Sequence, residues 1–159
     1  MKSKLSHVDS SGQPRMVNVG SKKVTARTAT AEARVRLGRK IIDHLSGRQM
    51  ESAKGPVFQT AVLAGIQGAK RTSELIPLCH PLGLDDCSVD IRLEGDCAVV
   101  TATASITART GVEMEALTAA AVAALTVYDM CKALSHDIQI ESIRLLSKKG
   151  GKRDFVRAE

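Results

Sequence analysis

Three aromatic side chains, Phe58, Tyr128 and Phe155, and no tryptophan in 159 residues set the tightest limit on what this chain can fold into. Aromatic residues supply the largest apolar area per side chain, so a core without them must be assembled from Ala, Val, Ile and Leu. Hydrophobic residues still make up 43% of the chain, enough for one ordinary domain, and wholesale disorder is excluded. Small side chains let elements approach closely but contribute little apolar area per contact. Association with further copies is therefore expected to supplement the core.

Lys and Arg number 23 against 17 Asp and Glu, a formal net charge of +6. That balance favours nucleic acid, a membrane surface or phosphorylated small molecules. Single-stranded nucleic-acid binders stack bases on aromatic platforms, which three scattered rings do not form, so phosphorylated small molecules lead and no nucleic-acid partner is expected. Cys79, Cys87, Cys97 and Cys131 form no C-x-x-C pair, and Met1-Lys2-Ser3-Lys4 opens without the apolar stretch of a secretory signal. Reduced thiols and a cytoplasmic location are the expectation. The longest apolar run, Ala116 to Met130, is interrupted by Thr118, Thr126 and Asp129 and is short for a bilayer, so no membrane association is expected.

Residues 1–20 are polar, with Ser10-Ser11-Gly12-Gln13-Pro14, and read as a mobile N-terminal arm before a single catalytic α+β domain over 21–159. From Lys22 to Val35 the β-branched residues in VTARTATAEARV favour a strand. Leu37, Ile41, Ile42 and Leu45 follow at helical spacing, ending near Ser46-Gly47. Lys54-Gly55-Pro56 opens a second helix with Pro56 in its first turn, and Ala61, Ala64, Gly65 and Gly68 give that helix a small-residue face. Cys87, Val89, Ile91 and Leu93 alternate with polar residues, and a second alternating run follows the Gly95-Asp96 turn; the two form an antiparallel hairpin. A long Ala-rich helix over Gly111–Leu134 and a strand over Ile138–Leu146 complete the order, before a basic tail from Ser147 to Arg153. Helices packed on one face of an antiparallel sheet make the fold α+β.

Four polar groups stand out. Pro77 and Pro81 stiffen the loop holding Leu78, Cys79 and His80, where a histidine near neutrality suits anion binding or proton movement. The cysteines lack metal-ligand spacing, so no metal centre is expected. Glu113 and Glu115 flank Met114 at a helix start; at i and i+2 they point apart, so at most one is expected to face a given pocket. Asp129 and Lys132 share a helix face at i, i+3 and follow a nearly all-apolar run, which reads as a partly buried pair poised for proton transfer. Lys54 precedes a helix start, where a cation opposes the helix dipole and a bound phosphate would satisfy both. Lys148, Lys149 and Lys152 with Gly150-Gly151 could fold over a polyphosphate, though any single tail lysine reads first as solvated.

AGIQGAKRTSELIPLCHPL (Ala64 to Leu82), TGVEMEALTAAAVAALTVYDMCKAL (Thr110 to Leu134) and RLLSKKGGK resemble the cyclic pyranopterin monophosphate synthase family of molybdenum-cofactor biosynthesis, from about Met16 onward. The resemblance implies a ferredoxin-like α+β fold and a homohexamer, a trimer of dimers, with the site at a subunit interface. The implied reaction converts 3′,8-cyclo-7,8-dihydroguanosine 5′-triphosphate to cyclic pyranopterin monophosphate and releases pyrophosphate. It also implies catalytic roles for Asp129, Lys54 and Lys132, and substrate contacts from Leu78, Cys79, His80, Met114 and Glu115, with Glu113. Arg27 and Lys148 occupy matching positions and are expected to meet phosphate. The chemistry involves hydrolytic and proton-transfer steps without net redox change, so no resident cofactor is expected beyond Mg²⁺ accompanying the triphosphate. Lys54 is assigned as acid and Lys132 as base. The alternative from another class is a non-catalytic nucleotide- or RNA-binding ferredoxin-like module, which would present surface aromatics on its sheet.

Overall fold

A computed structural model describes residues 11–46 and 50–158. Residues 1–10 of the expected arm, and Gly47 at the expected end of the first helix, lie outside the described residues. The elements run β1 (Thr25–Arg36), α1 (Arg39–Ser46), β2 (Glu51–Ser52), β3 (Gly55–Pro56), α2 (Val57–Lys70), α3 (Thr72–Leu75), β4 (Asp86–Glu94), β5 (Cys97–Ala108), α4 (Glu113–Cys131), β6 (Gln139–Lys149) and β7 (Phe155–Val156). All strands except β2 and β3 join one antiparallel sheet in the order β4-β5-β1-β6-β7. The arrangement is ferredoxin-like α+β.

Alternation decides which face is inside. Ala29, Ala31, Ala33 and Val35 of β1, with Ala98, Val100, Ala102, Ala104 and Ile106 of β5, are buried beneath the helices. The opposite face carries a polar ladder: Thr30 and Thr103 hydroxyls meet at 3.0 Å, and Arg144 donates to Glu32 at 2.9 Å. It shows no aromatic ring on β1, β4 or β5.

Helix α4 covers the sheet through Ala116, Ala119, Ala120, Ala123 and Ala124, all fully buried. It is long and apolar enough to pass a length test for crossing a membrane, yet more than half of it is enclosed by the protein. Helix α2 lies against it without intervening bulk: a Cβ at Gly65 would stand 2.9 Å from the Ala119 carbonyl oxygen, and one at Gly68 would stand 2.7 Å from Val122 Cγ2. The small-residue face expected from sequence is this seam.

Four local features differ from expectation. Lys54 is in the tight turn of the β2–β3 hairpin rather than at a helix start, because Ser52 pairs with Gly55 and the Ser52 hydroxyl accepts from the Lys54 amide. Pro56 is the residue before α2, at φ −67° and ψ 114°, rather than inside its first turn. Helix α4 is shorter than the run from Gly111 to Leu134 at both ends. Finally, β6 continues through Lys149 and the chain returns as β7, so the basic tail is largely a hairpin.

Candidate active site

The loop after α3 and the first turn of α4 face each other across a cavity of about 390 Å³. Leu78, Cys79 and His80 form one wall and Glu113, Met114 and Glu115 the other. Six residues proposed from sequence as substrate contacts thus meet around one space. Both glutamates line it, against the expectation that at most one would. Glu113 reaches it by folding its carboxylate back over Gly111, which has no side chain to obstruct it.

The N-terminal segment closes this cavity with Val17, Val19 and Lys22. His80 Nε2 lies 2.8 Å from the Val17 carbonyl oxygen. A carbonyl only accepts, so Nε2 carries the hydrogen and Nδ1 is left to accept or take a proton. Glu115 is 4% exposed, and burial, reinforced by the negative charge of Glu113, pushes its carboxyl above the usual range. Burial and then Glu115 push the Cys79 thiol up as well, so it is a neutral wall rather than a thiolate nucleophile.

A second cavity, about 340 Å³, adjoins the first and shares Lys22, Thr110, Gly111, Glu113 and Lys152 with it. Arg27, Lys148 and Lys149 add positive charge to the rest of its lining, beside Thr28, Val112 and Gly151. A bulge in β6 between the partners of Thr30 and Ala31 places Lys148 opposite Ala29 and Leu145 opposite Ala31, so both face the helices. Gly150, at φ +83°, turns the chain; a Cβ there would lie 3.0 Å from the Ala26 carbonyl carbon. The Gly150 amide donates to Asp154 Oδ1 at 3.0 Å, and its carbonyl accepts from the Thr25 hydroxyl at 2.8 Å. Lys149 and Lys152 thereby border the cavity while remaining exposed. Arg27 donates from Nε to the Ala108 carbonyl at 3.1 Å, which steadies its guanidinium.

The three residues assigned to catalysis lie at the other end of α4. Lys54 Nζ is 2.6 Å from Asp129 Oδ2 and 3.1 Å from the Asp129 carbonyl oxygen, while Lys132 Nζ is 2.7 Å from Asp129 Oδ1. Hydrogen bonds from Lys132 and then Lys54 lower the Asp129 carboxyl to about 2, and the same carboxylate raises Lys132. Lys54 therefore answers a helix C-terminus, not the helix N-terminus expected from sequence. The group is about half exposed, not partly buried, because the buried alanine stripe runs along the other face of α4. Sixteen residues of helix separate Glu113 from Asp129, about 24 Å of rise. The two groups of expected site residues therefore stand at opposite ends of one helix.

Sequence reasoning did not single out Val17, Val19 or Lys22. Their positions depend on contacts across some sixty residues of chain, which no local spacing encodes. Among the described residues no group of three His, Cys, Asp or Glu side chains is placed to hold a metal ion.

The chain is 52% identical over 157 residues to cyclic pyranopterin monophosphate synthase of Xanthomonas oryzae, covering 98% of this chain and 95% of that protein. A synthase of the same name from Novosphingobium aromaticivorans is 52% identical over 154 residues, covering 97% of each. Molybdenum cofactor biosynthesis protein 1 of Drosophila melanogaster is 54% identical over 159 residues, 99% of this chain but 28% of that longer protein. The model of the MoaC family matches residues 16–151, a span that contains the Lys54–Asp129–Lys132 group and every cavity-lining residue except Lys152, and the chain belongs to that family.

Proposed function

We propose that this protein is a cyclic pyranopterin monophosphate synthase, converting 3′,8-cyclo-7,8-dihydroguanosine 5′-triphosphate to cyclic pyranopterin monophosphate with release of pyrophosphate. The observation that carries this reading is the pair of adjoining cavities, one walled by His80, Met114 and Glu115, the other lined by Arg27 and three β6–β7 lysines. The first suits a nucleobase-derived ring and the second its triphosphate.

The triphosphate lies along Arg27, Lys148, Lys149 and Lys152, which fix the ring end against the loop at Leu78–His80. Ring opening breaks a C–N bond, pyrazine closure forms one, and phosphate cyclisation displaces pyrophosphate as a hydroxyl attacks the α-phosphorus; each step moves protons and needs positioned acids and bases. Asp129 stays ionised and raises Lys132, so Lys132 enters the cycle protonated. No resident cofactor is required, and Mg²⁺ accompanies the triphosphate as part of the substrate. The enzyme works in the cytoplasm.

The two half-sites are further apart than an extended nucleoside triphosphate, so a neighbouring protomer must bring its Lys54–Asp129–Lys132 group to this protomer's cavities. A homohexamer built as a trimer of dimers meets that need, with each site shared between two chains.

Incubation of the cyclic triphosphate with the protein should yield stoichiometric pyrophosphate and the pterin monophosphate. Absence of both products, together with steeply salt-dependent binding to bulk RNA, would replace this reading with a nucleic-acid-binding module.

A further inference from the structure

Glu113 stands where the two cavities meet, and its surroundings differ from those of every other acid in the site. Its Oε1 lies 2.8 Å from Lys148 Nζ, and the two side chains are about one-third exposed. Burial opposes its ionisation, but the bond from Lys148, its own backbone amide and the charges of Lys148 and Arg27 outweigh that and hold the carboxyl below its usual range. The carboxylate rests directly over Gly111: a Cβ there would fall 2.8 Å from Cδ and nearer still to Oε2. Glu113 faces both cavities, whereas Lys148 lines only the basic one.

A bare carboxylate in that position would repel a triphosphate, which makes it a poor ligand for the substrate's anionic end. Paired, it cancels the repulsion and gives Lys148 one fixed location. We propose that Glu113 is a positioning residue that does not touch the reacting atoms: seated over Gly111, it clasps Lys148 and so locks the β6–β7 hairpin, with Lys149 and Lys152, over the phosphate cavity. This rests on the reading of that cavity as the triphosphate site. It predicts a sign that a direct substrate contact does not share: once Lys148 is gone, the remaining carboxylate harms binding.

The test is a double-variant cycle on Glu113→Ala and Lys148→Ala, with binding of guanosine triphosphate, KM and kcat measured at several salt concentrations. Lys148→Ala should weaken binding about tenfold, since one unpaired carboxylate now faces the anion. Adding Glu113→Ala should recover several-fold of that loss, and the recovery should shrink at high salt. Gly111→Ala keeps both ionic groups but displaces the carboxylate from its seat, and should reproduce Glu113→Ala alone, lowering kcat more than it raises KM. Amide hydrogen exchange across residues 149–153 should rise in Glu113→Ala and Gly111→Ala, a readout independent of turnover. Additive losses in the cycle, or unchanged exchange in both variants, would overturn the proposal. Failure of the wild type to form pyrophosphate would instead count against the assigned reaction and leave the exchange result to decide the clasp.

Discussion

Mixing two inactive variants should restore activity that neither has alone. His80→Ala disables the cavity end of a protomer and Lys132→Ala disables the helix C-terminal end, and about 24 Å of α4 lies between them. Within one chain these defects cannot reach the same substrate molecule. On the proposed two-fold arrangement each site combines the cavity of one protomer with the lysine end of the other. A mixed dimer then contains one site with both defects and one site with neither. Equal mixing gives mixed dimers half the time, so about a quarter of wild-type turnover should return, regardless of how many dimers assemble further. Each variant alone should fall about 10²–10⁴-fold, leaving a clean background. The assay is pyrophosphate release after co-refolding at a series of mixing ratios, where activity should follow the product of the two fractions. Activity that never exceeds the sum of the parents would refute the shared site and require both half-sites to act within one chain.

Lys54→Ala and Asp129→Ala should lose orders of magnitude in turnover while guanosine triphosphate binding measured by calorimetry falls far less, because the cations of the phosphate cavity remain. Their melting temperatures should match the wild type, since the ion pairs are half exposed. Glu115→Gln should abolish turnover yet raise the melting temperature at neutral pH: the folded carboxyl titrates above its unfolded value, so stability falls as pH rises through that interval, and glutamine avoids the loss. Below the ordinary carboxylate range the two proteins should melt alike, and a constant difference at all pH would sink the explanation. Gly65→Ala should destabilise by up to about 2 kcal/mol in denaturant titration, because overpacking of about 1–3 kcal/mol against the Ala119 carbonyl offsets the roughly 1 kcal/mol of helix propensity gained.

The half-buried strands were legible because β4 alternates from Asp86 to Arg92 and β5 from Val100 to Ile106. Strand β6 was harder. Its apolar residues shift phase, from Ile140 to Ile143 and from Leu145 to Leu146, and two bulges absorb the shift. Lys148 faces the basic cavity only because of the first bulge, so the tail lysines read as solvated when only their charge is considered. The exposure of Asp129 was misread for a related reason. An apolar run before it does mark a buried helix, but in α4 the burial is a stripe of alanine methyls and the next position round the helix is in solvent. Lys54 was misplaced because the β2–β3 hairpin has only two residues per strand, too few for any periodic signal. The i, i+3 spacing of Asp129 and Lys132 needed only helix geometry and is present as expected.

The alanine seam beneath α4 also determines where motion can occur. A helix separated from its sheet by single methyl groups cannot roll or tilt without either clashing with backbone or opening a void. Both ends of α4 therefore behave as fixed points on a rigid bar. On the proposed reaction, substrate entry and product escape then fall to the segment carrying Val17 and Lys22, which borders the cavities outside α4. In relaxation-dispersion measurements on the microsecond-to-millisecond scale, exchange should appear in that segment, while the amides of residues 116–127 stay silent.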